Sequence, residues 1–280
     1  MNYRHIYHAG NFADVIKHCI LVALLQKLKE KDKPFSVLDA FAGIGLYDLS
    51  SEEASKTAES DNGIHLLFST VEDTSLLPEA IAIYTEIVKS INSSEGSISL
   101  YPGSPYIISK LLRTEDNLLA SELHPEDYAL LRYVFRKEKK CAIHHIDAYK
   151  ALIALLPPKH TRGLVLLDPP FEVKDEFSKI LNSLKLVKKR YSTGVIMIWY
   201  PIKDVQQTQK FYDNLKTTGY SEFIKIEFMI NSFGVAMNKC GILIANPPYI
   251  QDKLEEIMQF LCKSIYKGKA NATVELLSYQ

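Results

Sequence analysis

The 33 lysines and arginines of this chain are cancelled by 33 aspartates and glutamates. Whole-chain charge therefore argues neither for nor against a nucleic-acid partner, and only local patches bear on it. Cysteine is scarce: Cys19, Cys141, Cys240 and Cys262 lie far apart, and none belongs to a Cys-x-x-Cys pair. That argues against a zinc cluster or a disulfide framework and suits buried thiols in a reducing cytosol. His5, His8 and His18 lack the carboxylate partner of a metal site, so no metal is expected. No segment reaches the ~18 uninterrupted apolar residues of a membrane span. Met1-Asn2-Tyr3-Arg4-His5 opens no apolar signal region. A cytoplasmic protein without a membrane partner is expected. Internal repeats and low-complexity tracts are also missing. What remains is an ordinary globular balance, 47% hydrophobic and 24% charged, in 280 residues. That length suits one large domain or a domain carrying an insertion.

The most telling stretch is Leu164-Val165-Leu166-Leu167-Asp168-Pro169-Pro170-Phe171. Four apolar residues read as a strand buried on both faces. The prolines cannot donate to a sheet ladder, so the strand must end at Asp168. A carboxylate, a rigid turn and an aromatic ring then sit at the C-terminal edge of a sheet, where open α/β sheets bind ligands.

The rest of the chain supplies that sheet. Residues 1–10 are a polar, aromatic tail, expected over the active site. Asn11 caps a predicted helix of about residues 12–31 with a broad apolar face. Phe35 to Asp39 is a strand, followed by Ala40-Phe41-Ala42-Gly43-Ile44-Gly45. A strand, an acid and a Gly-x-Gly turn match the first strand and cofactor loop of a dinucleotide- or S-adenosylmethionine-binding sheet. No helix follows at once. Residues 48–62 are polar and loop-like, 78–92 form an amphipathic helix, and about 47–100 reads as an inserted, mostly helical subdomain. The main domain is then 1–46 with 101–280. Ser104 as N-cap with Pro105 at the first helical position restarts it, with free N–H groups suited to a cofactor carboxylate. Further strands end at Glu122, at Asp147 and in the Asp-Pro-Pro-Phe turn, and Gly194 to Tyr200 forms a fifth. Glu222 to Ile230, Cys240 to Ala245 and about Thr273 to Ser278 follow, with helices between. Alternation of strand and helix predicts a parallel sheet with helices on both faces.

In such a sheet Asp39, Glu122, Asp147 and Asp168 lie on one edge. Glu122 is placed to accept both ribose hydroxyls of a nucleoside cofactor, Asp147 to accept from its adenine amine, and Asp39 to meet its ammonium. Asp-Pro-Pro-Phe suits an exocyclic amine as acceptor of a methyl group. The lone pair of that nitrogen is delocalised into the ring. Asp168 and the Pro169 carbonyl, its direction fixed by Pro170, would both accept from the amine and favour a pyramidal nitrogen. Phe171 offers a stacking face for a flipped base, worth ~1–3 kcal/mol.

These residues resemble the Rossmann-like S-adenosyl-L-methionine-dependent methyltransferases of the adenine-N6 class, whose signature is (Asp/Asn/Ser)-Pro-Pro-(Tyr/Phe/Trp). Tyr3-Arg4-His5, His8-Ala9-Gly10-Asn11, Ala13-Asp14-Val15, Lys17-His18, Leu38-Asp39, Tyr101 to Pro105, Glu122 to Pro125, Asp168 to Phe171 and Trp199-Tyr200-Pro201 together resemble the RlmJ family over essentially the whole chain. The resemblance implies methylation of an adenine N6 in 23S ribosomal RNA. It also implies a cofactor pocket lined by His18, Phe41, Ser104, Glu122, Asp147, Ala148 and Asp168, beside Gly43 of the Gly turn. The family pattern has His at Phe41, Gly at Ala148 and Tyr at Phe171. Phe41 gives no side-chain hydrogen bond, Ala148 keeps its backbone N–H, and Phe171 keeps the stacking face.

Asn246-Pro247-Pro248-Tyr249 satisfies the same signature. A fourth-strand motif needs several strand–helix units after it, so this one is expected to be a strand-ending turn. Tyr3, Arg4 and Lys17 are expected to contact RNA or to close the tail over the pocket. The basic runs Arg136 to Lys140 and Lys185 to Arg190 read as solvated helix ends or phosphate contacts. A monomer acting on naked or partly assembled ribosomal RNA is expected. A DNA adenine methyltransferase shares the signature but would carry a larger recognition domain. A non-catalytic nucleic-acid-binding module would have no need of Asp168 and the acidic strand tips.

Overall fold

A computed structural model describes residues 4–71, 76–92, 98–231 and 237–279. Its chain order is α1 (Phe12–Lys29), β1 (Ser36–Asp39), β2 (Leu46–Asp48), α2 (Glu52–Thr57), α3 (Ile64–Thr70), α4 (Glu79–Ser90), β3 (Leu100–Pro102), α5 (Ser104–Leu111) and β4 (Asn117–Glu122). Then come α6 (Pro125–Val134), β5 (Cys141–His145), α7 (Ala148–Ala154), β6 (Gly163–Leu167), α8 (Glu176–Arg190), β7 (Val195–Pro201), α9 (Val205–Asn214), β8 (Glu222–Ile230), β9 (Lys239–Ala245), α10 (Gln251–Phe260) and β10 (Ala270–Ser278).

One eight-stranded sheet runs β10-β8-β9-β7-β6-β1-β4-β5. Strands β5, β4, β1, β6 and β7 are parallel neighbours, as strand–helix alternation predicts. The rest corrects an all-parallel expectation: β9 is antiparallel to β7 and β8, and β10 is antiparallel to β8. Only residues 231–238 separate β8 from β9, a connection too short for a parallel crossover. The Gly- and Asn-bearing loop expected between them falls mostly outside the described residues.

Period-2 alternation splits each strand between two cores. On β6, Leu164 and Leu166 join α1, α4, α5 and α10, while Val165 and Leu167 join α7, α8 and α9. Helix α1 is covered on all sides, and Ile16, Ile20 and Leu24 are fully buried. Each is worth roughly 2 kcal/mol of apolar transfer.

Between β1 and β4 the chain differs locally from expectation. Residues 48–62 are not all loop: Ser51 caps α2 by accepting from Ala54 N. Residues Leu46–Asp48 and Leu100–Pro102 pair as a two-stranded sheet. Three-residue strands carry no readable period. Gly103, not Ser104, is the N-cap of α5.

The helices of this excursion hold the N-terminal tail. Ile64 N donates to Gly10 O (2.8 Å), Asn11 Nδ2 donates to Glu59 Oε2 (2.9 Å), and His8 Nδ1 lies 3.0 Å from Glu59 Oε1. Gly63 sits directly on the tail: a Cβ there would be 2.0 Å from Gly10 O and 2.4 Å from Asn11 C. Both obstacles are backbone, so no side chain can swing aside. Gly63→Ala is expected to lower stability by about 1–3 kcal/mol in urea unfolding and to expose the tail to proteolysis near Arg4. An unchanged midpoint and cleavage pattern would contradict this close packing.

Candidate active site

Two cavities open at the C-terminal edge of the parallel strands, separated by a thin wall. The first is lined by Lys17 and His18 of α1, Phe41 and Gly43 after β1, Tyr47, Ser104, Glu122 and His124 after β4, Asp147 and Ala148 after β5, and Asp168 after β6. It holds about 770 Å³ of free space, its open mouth included. The second is lined by His8, Asn11, Glu59, Phe171, Trp199, Pro201, Lys203 and Met237 among others. His5, Lys17, Asp168 and Pro170 face both.

The wall is built from charge. Lys17, 3% exposed, donates to Asp14 Oδ1 at 2.7 Å and to Asp168 Oδ2 at 2.5 Å. Burial works against the ammonium, but the two carboxylates more than offset it and raise the pKa of Lys17. Burial likewise opposes ionised Asp14, yet His5 and Lys17 hold its carboxyl well below the usual range. Asp14 also accepts from Gly10 N (2.9 Å) and from His5 Nε2 at the same distance, which ties the tail to the wall. Asp168 Oδ1 has no protein partner among the described residues. Lys17, expected to contact RNA or to help close the tail over the pocket, is held here between two carboxylates of the protein. Arg4 pairs with Glu126 (3.1 Å) and Asp127 (2.9 Å) of α6, and Asp127 lines the first cavity. Tyr3 lies outside the described residues.

Glu122 is held by two backbone donors, Gly43 N at 3.0 Å and His124 N at 2.8 Å. Burial pushes its pKa up while these donors pull it down, and the net is upward. Gly43 has φ +61°, and a Cβ there would meet the Tyr47 hydroxyl at 2.1 Å, so the turn requires glycine. Asp147 caps α7 by accepting from Lys150 N at 3.0 Å. Phe41 packs edge-on against Tyr149 and lines the cavity with its ring. Asp39 is not on the cavity wall: it is 0% exposed, and Ser104 Oγ donates to its Oδ2 at 2.7 Å. That bond uses the hydroxyl expected to cap α5. Two buried atoms on the first cavity's residues, His18 Nε2 and His124 Nδ1, have no hydrogen-bond partner among the described residues, though His124 Nδ1 lies 3.7 Å from Asp127 Oδ1.

Beyond the wall, Phe171 adopts φ +51°, rare for an aromatic residue and a mark of local strain at this turn. Its ring meets Phe177 and Trp199 edge-on at 5.1 and 6.2 Å. The second Pro-Pro motif is elsewhere. Strand β9 runs antiparallel, so Asn246 lies where β7 begins and donates to Gly194 O at 3.1 Å. The two motifs occupy opposite edges of the sheet. The basic runs are partly used in packing: Arg190 binds the carbonyls of Ile153 and Leu156, and Arg136 stacks on Tyr133. Residue reading gave neither His5 nor Trp199 a role at this site and did not single out Glu59. Their signal is long-range, since tail, excursion and β7 meet only in the fold.

The family described as "Ribosomal RNA large subunit methyltransferase D, RlmJ" matches residues 32–278. This chain belongs to that family. The Haemophilus influenzae "Ribosomal RNA large subunit methyltransferase J" is 39% identical over 99% of both chains. The Escherichia coli K12 protein of the same name is 38% identical over 98% of both. A Legionella pneumophila crystal structure superposes with TM-score 0.86 at 35% identity, covering 96% of this chain and 98% of that one. The chain is thus a methyltransferase-family enzyme on a Rossmann-like sheet. No helix among the described residues is long and apolar enough to cross a membrane.

Burial raises the pKa of Asp39 to about 7. A raised carboxyl pKa means that the folded state holds the proton more tightly than the unfolded chain. The resulting stability is fully present below about pH 4 and is lost as pH rises through 7. Asp39→Asn keeps the acceptor for Ser104 and removes the titration. Its stability relative to wild type is expected to rise between pH 5 and pH 8 by on the order of 2–4 kcal/mol. Equal pH slopes in urea unfolding would contradict an ionisable Asp39 in that range.

Proposed function

We propose that this chain methylates the exocyclic N6 of an adenine in 23S ribosomal RNA with S-adenosyl-L-methionine, acting as a monomer on naked or partly assembled RNA. The observation that carries the reading is the common wall, with Asp168 standing between a nucleoside-sized cavity and an aromatic one. A methyl transfer needs donor and acceptor on opposite sides of one point, in line, so catalysis is mainly positioning.

The first cavity's residues fit the cofactor. Glu122, its oxygens oriented by two backbone donors, keeps lone pairs for two ribose hydroxyls. Asp147, with Ala148 N–H beside it, suits the adenine edge. His18 Nε2 is buried without a hydrogen-bond partner among the described residues and suits the amino-acid tail, as do Ser104 and the N-terminus of α5. Asp39 acts from behind Ser104. When bound, the cofactor supplies an electrophilic methyl group on a sulfonium.

The second cavity suits a flipped adenine. Phe171 stacks the base, with Trp199, Pro201 and Met237 excluding water. Lys17 fixes one oxygen of Asp168, leaving Oδ1 to accept from the amine. The Pro169 carbonyl accepts the other N–H, and Pro170 holds the turn. The nitrogen lone pair then faces the first cavity. No proton moves before transfer. Afterwards Asp168 Oδ1, already bonded to the amine, takes the surplus proton. Residues 47–100 act as a subdomain that seats the tail and contributes Glu59 to the acceptor side.

Tritiated S-adenosylmethionine, incubated with ribosomal RNA from cells lacking the enzyme, is expected to yield labelled N6-methyladenosine on nuclease digestion. Asp168→Asn is expected to lower the rate by roughly 100-fold or more, and Asn246→Ala to keep it within about threefold. Label on duplex DNA alone, or loss of activity only in the Asn246 variant, would overturn the reading.

A further inference from the structure

An RNA strand that delivers a base to the second cavity brings its phosphates to the mouth. Three carboxylates line that cavity: Asp14, Glu59 and Asp168. They suit an amine and repel a polyanion. The bases facing them are already engaged: Lys17 by Asp14 and Asp168, His5 by Asp14, and His8 by Glu59. Arg4 pairs with Glu126 and Asp127 of α6. Both cations expected to reach RNA or to close the tail, Arg4 and Lys17, thus carry carboxylate partners from the protein itself.

Lys203 differs from all of these. It lines the second cavity, it is exposed, and its ammonium has no ion pair or hydrogen bond among the described residues. Its charge is felt across the cavity, where it opposes protonation of His8. The backbone on either side is fixed. Ile202, 8% exposed, donates from its N to Lys239 O at 3.0 Å. Asp204 caps α9, accepting from Gln206 N at 2.8 Å and Gln207 N at 3.1 Å, so the acid next in sequence is turned to the helix. Lys203 also lines a groove that continues past Phe171 and Pro201 toward Val173, Lys174 and Thr208. The same side chain stands where the cavity opens into that groove.

We infer that Lys203 binds the RNA phosphate adjoining the flipped adenosine and holds the strand at the mouth of the second cavity. A lysine suits this as a point charge on a flexible stem, because it follows a phosphate without demanding one geometry. Its ammonium offsets the repulsion between the strand and the carboxylates that the amine requires. Lys203 touches neither the methyl donor nor N6, so it acts on substrate binding and not on the transfer. This inference rests on the reading of the second cavity as the acceptor site for an adenine in ribosomal RNA.

Methylation kinetics on ribosomal RNA test it. Lys203→Met keeps the stem and removes the charge. It is expected to raise KM about fivefold and to leave kcat within about twofold of wild type. Lys203→Arg is expected to restore KM to within about twofold. In RNA-binding titrations over a salt series, Lys203→Met is expected to lower the slope of log Kd against log salt by about 0.7, the share of one phosphate contact to a single strand. Lys31→Met, which alters the loop before β1 at the opposite edge of the sheet, is expected to change neither quantity. An unchanged KM and slope in Lys203→Met, a loss confined to kcat, or an equal effect in Lys31→Met overturns the inference. Wild-type protein that leaves ribosomal RNA unlabelled overturns the reading of the acceptor site, and the inference with it.

Discussion

One buried ammonium holds this site together. Lys17 reaches from α1 to Asp168 at the tip of β6, and Asp14, a turn earlier on the same helix, shares it. The arrangement is costly in isolation, because each charge has left water. It stands because two carboxylates face one cation and because His5, Gly10 N and Asn11 complete the bonding around Asp14. The same set of bonds fixes the rotamer of Asp168, leaves its second oxygen available, and divides the space at the sheet edge into two cavities.

The N-terminal tail and the excursion between β1 and α5 depend on that division. The tail passes His5 through the shared wall and fastens Arg4 to α6, so it belongs to both cavities. The excursion presses the tail down through Gly63 and Glu59 and reaches the first cavity through the Tyr84–Tyr101–His18 hydrogen bonds. A doubly wound sheet alone would supply the acidic strand tips. The two added segments turn an open edge into paired compartments that share His5, Lys17, Asp168 and Pro170.

Much of this was legible in the sequence, for a definite reason. Parallel strands read as short apolar runs; those of β1, β4 and β5 lead into an acid, that of β6 into a Pro-Pro turn and that of β7 into a single proline, so these strands and their common edge follow from local pattern. The Asn11 cap and α1 follow from the same kind of signal. The directions of β8, β9 and β10 did not, because a strand's own residues do not name its partner. Ser104 looked like a cap because cap preference is local, whereas its hydroxyl is taken by Asp39 from across the fold. The two carboxylate partners of Lys17 were not legible for the same reason: one of them, Asp168, lies 151 positions away. Position in the sheet also separates the two Pro-Pro motifs, since β9 runs against β7 and carries Asn246 to the far edge.

The most direct test of the account is a crystal structure with S-adenosylhomocysteine and adenosine 5′-monophosphate bound together. The account predicts the sulfur in the first cavity and the adenine against Phe171 in the second. Its N6 should lie within about 3 Å of Asp168 Oδ1, facing the sulfur. An adenine bound at the Asn246 edge, or one whose N6 points away from Asp168, would contradict it.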